Sequence, residues 1–490
     1  MSAPPHQDDV DDAPEMLDAE DALEEIEDAE GDIAMDSDDE PEEINLHNDS
    51  IAYFDAHKDS VFAIAQHPTQ PSLVATGGSE GEGDDAPGKG YVFDTSPVVG
   101  RPVLPASYHA DPAAQPPKST ELKPLFTIEG HSDSINALAF TLPSGEFLVS
   151  GGLDGRLRAY QLSVDGRNKP TFAFLAESQE VPEVNWLAPC PSHKYPNTVA
   201  LGASDGSVWV YTIDASDASS PLRIAQSYFL HTEACTAGAW SPDGTFLATV
   251  SEDSSLYVWD VWGEAAARNL VNDNGQTVVS LTGQDQRFGV EGGLYSVAVD
   301  PKSTFVAVGG AGGAVKIVSI PRLGADSQPV SSKQSKAKAK GAEAGSAQGG
   351  TILADLHTQS DGIETLSFSP KQSLLAAGSV DGSIAVYDTS RRFAVRRHIK
   401  EAHEEFSVVK VEFVSGLGDG WLLTSCGMDG VVRRWDVRGA ASSTETSLVK
   451  EWRGHRGDGE GGGVLGFVQG TTGERIVTAG DDGVVLIFEA

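Results

Sequence analysis

The chain has 490 residues, of which 34 are basic and 73 acidic, and its formal net charge is −39 at pH 7. This charge argues against direct binding of nucleic acid or anionic membranes and favours basic partners, because phosphate recognition requires a surplus of Lys and Arg. The three cysteines, Cys190, Cys235 and Cys426, form no CxxC pair. They argue against a disulfide framework and a zinc site, and they fit a reducing compartment.

Residues 1–49 predict a disordered acidic tail. Residues 1–50 contain 21 acidic side chains but no Lys, Arg or aromatic residue, so they bury too little apolar surface to offset the chain entropy. The first residues show neither a basic n-region nor an apolar h-region, so we expect no signal peptide. No run of 18 apolar residues follows either. We expect a monomer in the cytoplasm, with the nucleus as an additional location.

Residues 50–490 predict eight repeats of short strands. Apolar alternation that ends in a Pro or Gly turn recurs, as in INALAFTLPSGEFLVSGG, and so does a turn Asp followed six residues later by an aromatic residue. That spacing joins Asp154 to Tyr160, Asp205 to Tyr211, Asp253 to Trp259, Asp381 to Tyr387, Asp429 to Trp435 and Asp482 to Phe488. Gly312 and Val318 keep the spacing only, and Phe93 ends a matching run after an acidic insertion at 83–90. Eight such units indicate a repeat architecture.

The repeats resemble the WD40 family of β-propellers. The resemblance rests on the SPDG turn at 241–244, on two Trp-Asp endings and on two Gly-His pairs, which are Trp259-Asp260, Trp435-Asp436, Gly130-His131 and Gly454-His455. It implies an all-β, eight-bladed propeller over residues 50–490, with residues 321–350 as a flexible low-complexity insertion. In this family the first strand of each repeat is the outer strand of the preceding blade. We therefore expect SIAYFDAH, residues 50–57, to pair with the last blade and to close the ring.

Four repeats carry a His, a hydroxyl residue and an Asp in the same order. They are His131, Ser150 and Asp154; His231, Thr249 and Asp253; His403, Ser425 and Asp429; and His455, Thr478 and Asp482. A catalytic triad uses the same residue types, but it has no reason to occur four times in one register. The resemblance implies instead a buried relay from Asp through His and hydroxyl to an indole, here that of Trp259 or Trp435. We expect no enzyme, and a hydrolase is the weaker alternative.

Neither a metal site nor a cofactor site is predicted. The 12 histidines form no HxxxH or Cys/His cluster, and the Gly-rich stretch 454–463 lacks the Gly-Lys-Ser/Thr of a phosphate-binding loop.

The WD40 resemblance also implies contact positions for partners on the narrow top face of the propeller. These lie three and five residues after the relay His and just before the turn Asp. The positions in that register, with their neighbours, are Phe62, Glu183, Asn185, Glu233, Glu252, Tyr295, Asp361, Glu364, Glu404, Glu405, Met428, Asp458 and Asp481. Acidic residues around aromatic or apolar centres favour a docking surface for a basic protein segment.

A narrower resemblance concerns the whole chain. The acidic tail, the first blade with AHKDSVFAIAQHP and LVATGG, and the closing TAGDDGVVLIF resemble the angio-associated migratory cell protein family. Its fungal members are dedicated chaperones of a large-subunit ribosomal protein, L-ten (uL-sixteen). The resemblance implies capture of the basic N-terminal segment of that newly made protein, for delivery to pre-60S particles in ribosome biogenesis. The alternative is a scaffold or substrate receptor that binds another basic peptide, such as a histone tail or a ubiquitin-ligase substrate.

Overall fold

Thirty-three β-strands form the described part of the computed structural model, which covers residues 48–81, 83, 86–98, 119–164, 169–323, 349–416, 418–439, 447–456 and 462–490. The predicted tail lies outside these residues except for residues 48 and 49, and so do residues 324–348 of the predicted insertion and the candidate residue Asp458. No helix among the described residues is both long and apolar enough to cross a membrane.

The strands are short and follow one another with few other elements between them. In chain order they are β1 (Ala52–Phe54), β2 (Ala63–Gln66), β3 (Leu73–Ser79), β4 (Gly88–Asp94), β5 (Thr120–Glu121), β6 (Pro124–Ile128), β7 (Ile135–Phe140), β8 (Phe147–Gly152), β9 (Arg156–Val164), β10 (Pro170–Gln179), β11 (Val184–Pro189), β12 (Thr198–Ala203), β13 (Val208–Ile213), β14 (Leu222–Tyr228), β15 (Cys235–Trp240), β16 (Phe246–Ser251), β17 (Leu256–Asp260), β18 (Thr277–Leu281), β19 (Leu294–Val299), β20 (Phe305–Gly310), β21 (Ala314–Ser319), β22 (Ile352–His357), β23 (Ile363–Phe368), β24 (Leu374–Ser379), β25 (Ile384–Asp388), β26 (Ala394–Ile399), β27 (Val408–Phe413), β28 (Leu422–Gly427), β29 (Val432–Asp436), β30 (Leu448–Trp452), β31 (Val464–Val468), β32 (Arg475–Gly480) and β33 (Val485–Glu489). Four 3₁₀ turns lie at Ala266–Arg268, Ala311–Gly313, Thr389–Arg391 and Gly418–Gly420.

These strands form eight sheets, the blades of a propeller, which are antiparallel except where β5 joins blade 8. Blades 1 to 7 are β2–β3–β4–β6, β7 to β10, β11 to β14, β15 to β18, β19 to β22, β23 to β26 and β27 to β30, each with its first strand innermost. Blade 8 contains β31, β32, β33, β1 and β5. The innermost strands of successive blades pack against one another, and β31 packs against both β27 and β2. The predicted eight-bladed all-β propeller is therefore confirmed.

The pattern of burial explains why these segments form blades. The second strands are buried at nearly every position, and β16 (FLATVS) and β24 (LLAAGS) are buried throughout, because neighbouring blades cover both faces of the sheet there. Outer strands such as β22 (ILADLH) alternate between half-buried and exposed residues, as expected for a strand with one face in solvent. The core consequently consists of apolar layers between adjacent blades.

The ring closes where β1 completes blade 8. β1 pairs antiparallel with β33, with Ala52 opposite Ile487 and Phe54 opposite Val485, which confirms the predicted closure. Phe54 is fully buried and its ring stacks on Phe93 of blade 1 at 4.7 Å between centroids. Closure therefore joins the first and last blades through both hydrogen bonds and apolar packing.

A fifth strand of blade 8 was not predicted. β5 lies parallel to β1, with Thr120 opposite Ala52, and Leu122 next to it is buried in the apolar cluster between blades 8 and 1. Arg475 of β32 donates to the carbonyl oxygens of Thr95 and Val98 at 2.7 and 3.1 Å. The connection that leaves β4 is thus fixed across the closing sheet.

Candidate partner-binding face

The loops of each blade separate into two faces of the propeller. Because the strands within a blade are antiparallel, the loop that precedes the innermost strand and the loop between the second and third strands lie at the same end. We call the described residues of these loops the top face: 55–62, 80–81, 83, 86–87, 129–134, 153–155, 180–183, 204–207, 229–234, 252–255, 282–293, 311–313, 358–362, 380–383, 400–407, 428–431, 453–456, 462–463 and 481–484. The remaining inter-strand loops form the bottom face.

Negative charge is concentrated on the top face. Acidic residues outnumber basic ones there, and the basic residues among its described positions are Lys58, Arg287, Lys400, Arg453 and Arg456. On the described bottom-face loops acidic and basic residues occur in similar numbers. The propeller therefore presents an electrostatically polarised surface, whose acidic end attracts cationic segments.

An acidic–aromatic cluster (Glu252, Tyr295, Asp361 and Glu364) joins blades 4, 5 and 6 on this face. Gly362 separates two of its members: a Cβ placed on Gly362 would lie 3.9 Å from Tyr295 Cδ2 and 3.7 Å from Glu364 Oε1. The Tyr295 ring and the Glu364 carboxylate therefore both lie within van der Waals reach of this position. The Tyr295 hydroxyl donates to the carbonyl oxygen of Gly292, which fixes the ring orientation.

The electrostatics of this cluster favour a cationic ligand. Burial, and then the charges of Glu252, Glu364 and Asp361, raise the pKa of Tyr295. The pKa of Glu364 is also raised, first by partial desolvation and then by Asp361. Like charges crowded in this way repel one another, and a Lys or Arg side chain placed among them relieves that repulsion.

A second group of candidate residues lies where blades 7, 8 and 1 meet. Met428 contacts Gly463, since a Cβ placed there would lie 2.6 Å from Met428 Sδ. Asp481 accepts a hydrogen bond of 2.5 Å from Ser60 Oγ, so its carboxylate joins blades 8 and 1. The side chain of Phe62 is 40% exposed. An apolar ring therefore stands in solvent beside acidic loops, as at many protein docking surfaces.

Twelve of the thirteen candidate residues lie on the top face or at the first positions of its innermost strands. Exposed residues are Phe62, Glu183, Glu233, Glu252, Asp361, Glu364, Glu404 and Glu405, whereas Asn185, Tyr295, Met428 and Asp481 are half-buried. The structure brings Glu252, Tyr295, Asp361 and Glu364 together and keeps Glu183 and Glu233 on neighbouring blades.

Asn185 has a hydrogen-bonding role that its register did not predict. Its Nδ2 donates to the carbonyl oxygen of Cys235 at 3.1 Å, and Asn136 Nδ2 donates to the carbonyl oxygen of Asn185 at 2.9 Å. Thr236 Oγ1 similarly donates to the carbonyl oxygen of Leu294 at 2.6 Å. These side chains link adjacent blades, so their polar atoms are engaged within the ring.

The relay predicted from sequence is complete in blade 7. His403 Nδ1 donates to Asp429 Oδ1 at 2.8 Å, and His403 Nε2 accepts from Ser425 Oγ at 2.7 Å. Trp435 Nε1 donates to the same Ser425 Oγ at 2.8 Å. Blades 2 and 8 show the first two of these bonds, in His131 with Asp154 and Ser150, and in His455 with Asp482 and Thr478.

Blade 4 departs from the predicted relay at the acidic end. His231 Nε2 bonds Thr249 Oγ1, which also accepts from Trp259 Nε1, both at 2.8 Å. His231 Nδ1, however, bonds Ser255 Oγ at 2.6 Å and lies 3.9 Å from Asp253 Oδ1. The predicted direct hydrogen bond between His231 and Asp253 is therefore wrong, because the serine hydroxyl occupies that position.

Two modified relays were not recognised in the sequence. His57 Nε2 bonds Thr76 Oγ1 at 2.9 Å in blade 1, with the 19-residue separation that also joins His131 to Ser150. That spacing could have identified the pair. In blade 6, Gln359 replaces the histidine and donates from Nε2 to the Ser383 carbonyl oxygen at 2.9 Å.

The relays are not accessible as catalytic groups. The side chains of His231 and His403 are fully buried, and burial lowers the pKa of each. No substrate can contact them without unfolding of the blade, so their hydrogen bonds serve packing. Among the described residues, no group of three His, Cys, Asp or Glu side chains is arranged to hold a metal ion.

Comparison with known proteins defines the class. The family model for the WD domain, G-beta repeat, matches residues 122–161, 223–260 and 350–388, so the chain is a WD40 propeller with an acidic top face. Sqt1 from Chaetomium thermophilum, in a crystal structure bound to the N-terminus of the ribosomal protein L10, is 62% identical with a TM-score of 0.78, and the match covers 91% of this chain and 100% of that chain.

Two curated relatives support a narrower assignment. Ribosome assembly protein SQT1 of Saccharomyces cerevisiae is 29% identical over 486 residues, which cover 94% of this chain and 90% of the relative. Angio-associated migratory cell protein of Homo sapiens is 22% identical over 443 residues, covering 90% and 80%. The chain belongs to the family of Sqt1 and angio-associated migratory cell protein.

Proposed function

We propose that this protein is a dedicated, non-enzymatic chaperone of ribosomal protein L10. It captures the basic N-terminal segment of newly made L10 on the top face and delivers the protein to pre-60S particles during ribosome biogenesis. Capture takes place in the cytoplasm, where ribosomal proteins are made, and the nucleus is an additional location. The acidic–aromatic cluster carries this proposal, together with the C. thermophilum Sqt1 structure, which contains the N-terminus of L10.

The charge distribution supports this binding mode. A basic segment gains attraction from the acidic loops over a range of about 10 Å at 0.1 M salt, which speeds encounter and selects against acidic partners. Tyr295 and Phe62 supply ring surface at two separate places on the same face. Aromatic contacts of this kind contribute much of the affinity at protein interfaces.

Charge reversal on the top face tests the proposal. We expect Glu252→Lys combined with Glu364→Lys to weaken binding of an L10 N-terminal peptide about tenfold or more, because two attractive carboxylates become repulsive. The matched control is Asp273→Lys combined with Glu474→Lys, which makes the same charge change at two exposed bottom-face residues. Titration calorimetry at about 0.1 M salt measures both affinities.

The control distinguishes a local effect from a general one. Equal affinities for the two double variants would contradict capture on the top face. A basic histone-tail peptide serves as competitor. If it binds the unaltered protein as tightly as the L10 peptide does, the alternative of a general scaffold or substrate receptor for basic peptides replaces the proposed dedicated chaperone.

A further inference from the structure

A groove crosses the bottom face beneath blades 4, 5 and 6, opposite the acidic top face. Two adjoining cavities, of about 740 Å³ and 310 Å³, share Pro301, Lys302 and Arg322 as lining residues. The first extends to Arg268 beside blade 4, and the second extends to Lys371 beside blade 6. We call these two joined cavities the basal groove.

The basal groove carries cations without ion-pair partners. Arg268, Lys302 and Arg322 are exposed, and none of them forms an ion pair with another described residue. Lys371 lies 4.0 Å from Asp419, a loose pair at the groove edge. Four cations therefore line this groove in a protein whose net charge is −39.

The acidic residues that line the groove are already engaged. Glu264 forms an ion pair of 2.6 Å with Lys194. Asp300 accepts from Thr304 Oγ1 at 2.6 Å, and Asp243 accepts from Ser241 Oγ at 2.6 Å. Local partners orient these carboxylates, although Asp243 and Asp300 keep their charge and Glu264 also interacts with Arg268. The lining contains four cations and three carboxylates, so the cations are in excess.

The walls between these cations are rigid and partly apolar. Four prolines line the two cavities: Pro242, Pro301, Pro321 and Pro370. Phe305 and Phe368 meet edge to face with centroids 5.6 Å apart, and Phe246 is almost fully buried beneath the first cavity. Proline fixes the backbone of each turn, so the groove keeps its shape before a ligand arrives and binding costs little ordering.

We propose that the basal groove binds an extended acidic peptide segment of a partner protein, with apolar residues between its carboxylates. Arg268, Lys302 and Arg322 contact the carboxylates, while the prolines contact the apolar residues. RNA fits the site less well, because the phenylalanine rings of the groove are buried or half-buried and offer no exposed face for base stacking.

The position of the groove gives this site a distinct role. It lies on the face opposite the acidic–aromatic cluster, so an acidic partner and a basic segment bind at the same time without sharing residues. An acidic partner bound in the basal groove is thereby linked to the propeller while the top face holds its basic segment. The inference stands independently of the identity of the basic segment.

A labelled peptide tests the proposal directly. The probe is a fluorescein-labelled 14-residue peptide, a length of about 45 Å when extended, of Asp and Glu with Leu or Phe at every fourth position. Fluorescence anisotropy at about 0.1 M salt measures its binding to the full chain. We expect Arg268→Glu combined with Arg322→Glu to raise the Kd at least tenfold, and binding to weaken as salt is added.

The matched control is Lys123→Glu combined with Lys169→Glu, which makes the same charge change at exposed bottom-face positions beneath blades 1 and 2. Unchanged binding in this control and retained L10-peptide binding in both variants support the site. Three outcomes overturn it: no binding of the acidic peptide, equal loss in both double variants, or tighter binding of a 20-nucleotide single-stranded RNA than of the peptide.

Discussion

His57 stands apart from the other relay histidines because one of its ring nitrogens, Nδ1, is buried without a hydrogen-bond partner. Blade 1 supplies Thr76 for Nε2 but no turn Asp for Nδ1, since the acidic insertion replaces that turn. Burial lowers the pKa of His57 to about 4. An imidazole in this setting stays neutral over most of the physiological range, and protonation opposes the fold.

The sign of the resulting pH dependence follows from the lowered pKa. The unfolded chain binds the proton below about pH 6.5, whereas the folded chain binds it only near pH 4. His57 therefore contributes stability that is present above about pH 6.5 and is lost as the pH falls toward 4, by at most about 3 kcal/mol. We expect the Tm of His57→Gln to fall less between pH 7 and 4.5 than that of the unaltered protein, as measured by calorimetry.

Burial also lowers the pKa of His231 and His403, so only the difference between the two proteins bears on His57. Parallel Tm curves for the variant and the unaltered protein would show that His57 is not the group that responds.

The relay also shows how far sequence reasoning reaches for single side chains. The positions of His231, Thr249 and Trp259 followed from the register of the repeat, and their contacts were as expected. The interposition of Ser255 between His231 and Asp253 was not predictable, because it depends on side-chain torsions within one tight turn. Asn185 was assigned to the surface by register, although its amide bonds the next blade. The spacing of residues along the chain does not reveal which side chains of neighbouring blades come within hydrogen-bonding distance.

At the level of elements, the sheet of blade 8 depends on one short strand, β1, to cover the edge of β33. β1 has three residues, yet it covers the edge of β33 and places Phe54 in the layer between blades 8 and 1. An uncovered β33 would leave an apolar strand edge open to other chains. The integrity of the ring therefore depends on the packing of this strand.

We expect Phe54→Ala to destabilise the propeller by about 3–5 kcal/mol, because it removes a fully buried ring that stacks on Phe93. The change also favours self-association through the edge of β33. Urea denaturation and light scattering measure the two effects. The control is Tyr53→Ala, since Tyr53 is the half-buried neighbour on the same strand. Equal stability loss in both variants would contradict a specific role for the Phe54 contact.

The elements themselves were predicted to different degrees. The seven aromatic or apolar endings at six-residue spacing, together with Phe93, fall on the eight third strands, because each blade buries that residue against its neighbour. β5 was not predicted, because its two residues, which lie beside a Pro-rich stretch, are too few to show an alternation of apolar and polar side chains. β5 pairs with β1, which joins blade 8 only when the ring is closed, so the pairing depends on tertiary closure. The repeat pattern in the sequence therefore predicts the strands of each blade, whereas β5 forms only because the closed ring places it beside β1.

On the scale of the whole molecule, charge is distributed unevenly. Residues 1–47 contain 20 acidic side chains and the described top face carries many more, whereas the bottom face contains the basal groove. A field of this magnitude affects the rate at which a basic ligand arrives more than the rate at which it leaves. The sign of the net charge follows from composition alone, but the division of charge between the two faces required the topology.

Deletion of residues 1–47 tests how much their negative charge contributes to the association rate of a basic peptide. We expect the association rate constant for the L10 N-terminal peptide to fall severalfold at low salt, because more than half of the net charge is removed. The dissociation rate constant stays unchanged, and the difference in association narrows near 0.15 M salt, where the screening length is about 8 Å. Stopped-flow fluorescence measures both constants. Faster dissociation would instead indicate that the deleted residues contact the bound peptide.

The closure of blade 8 has a consequence for how the protein is made. β33 follows β1 by more than 430 residues, so at a translation rate of about 5–20 residues per second β1 leaves the ribosome roughly 20–90 s before its partner strand exists. During that interval Phe54 and the seam of blade 1 remain without the surface that will cover them. A protein that we propose shelters another nascent chain thus passes through an unsheltered nascent stage of its own. Its top face becomes continuous, and ready for a ligand, only after the last blade has been synthesised.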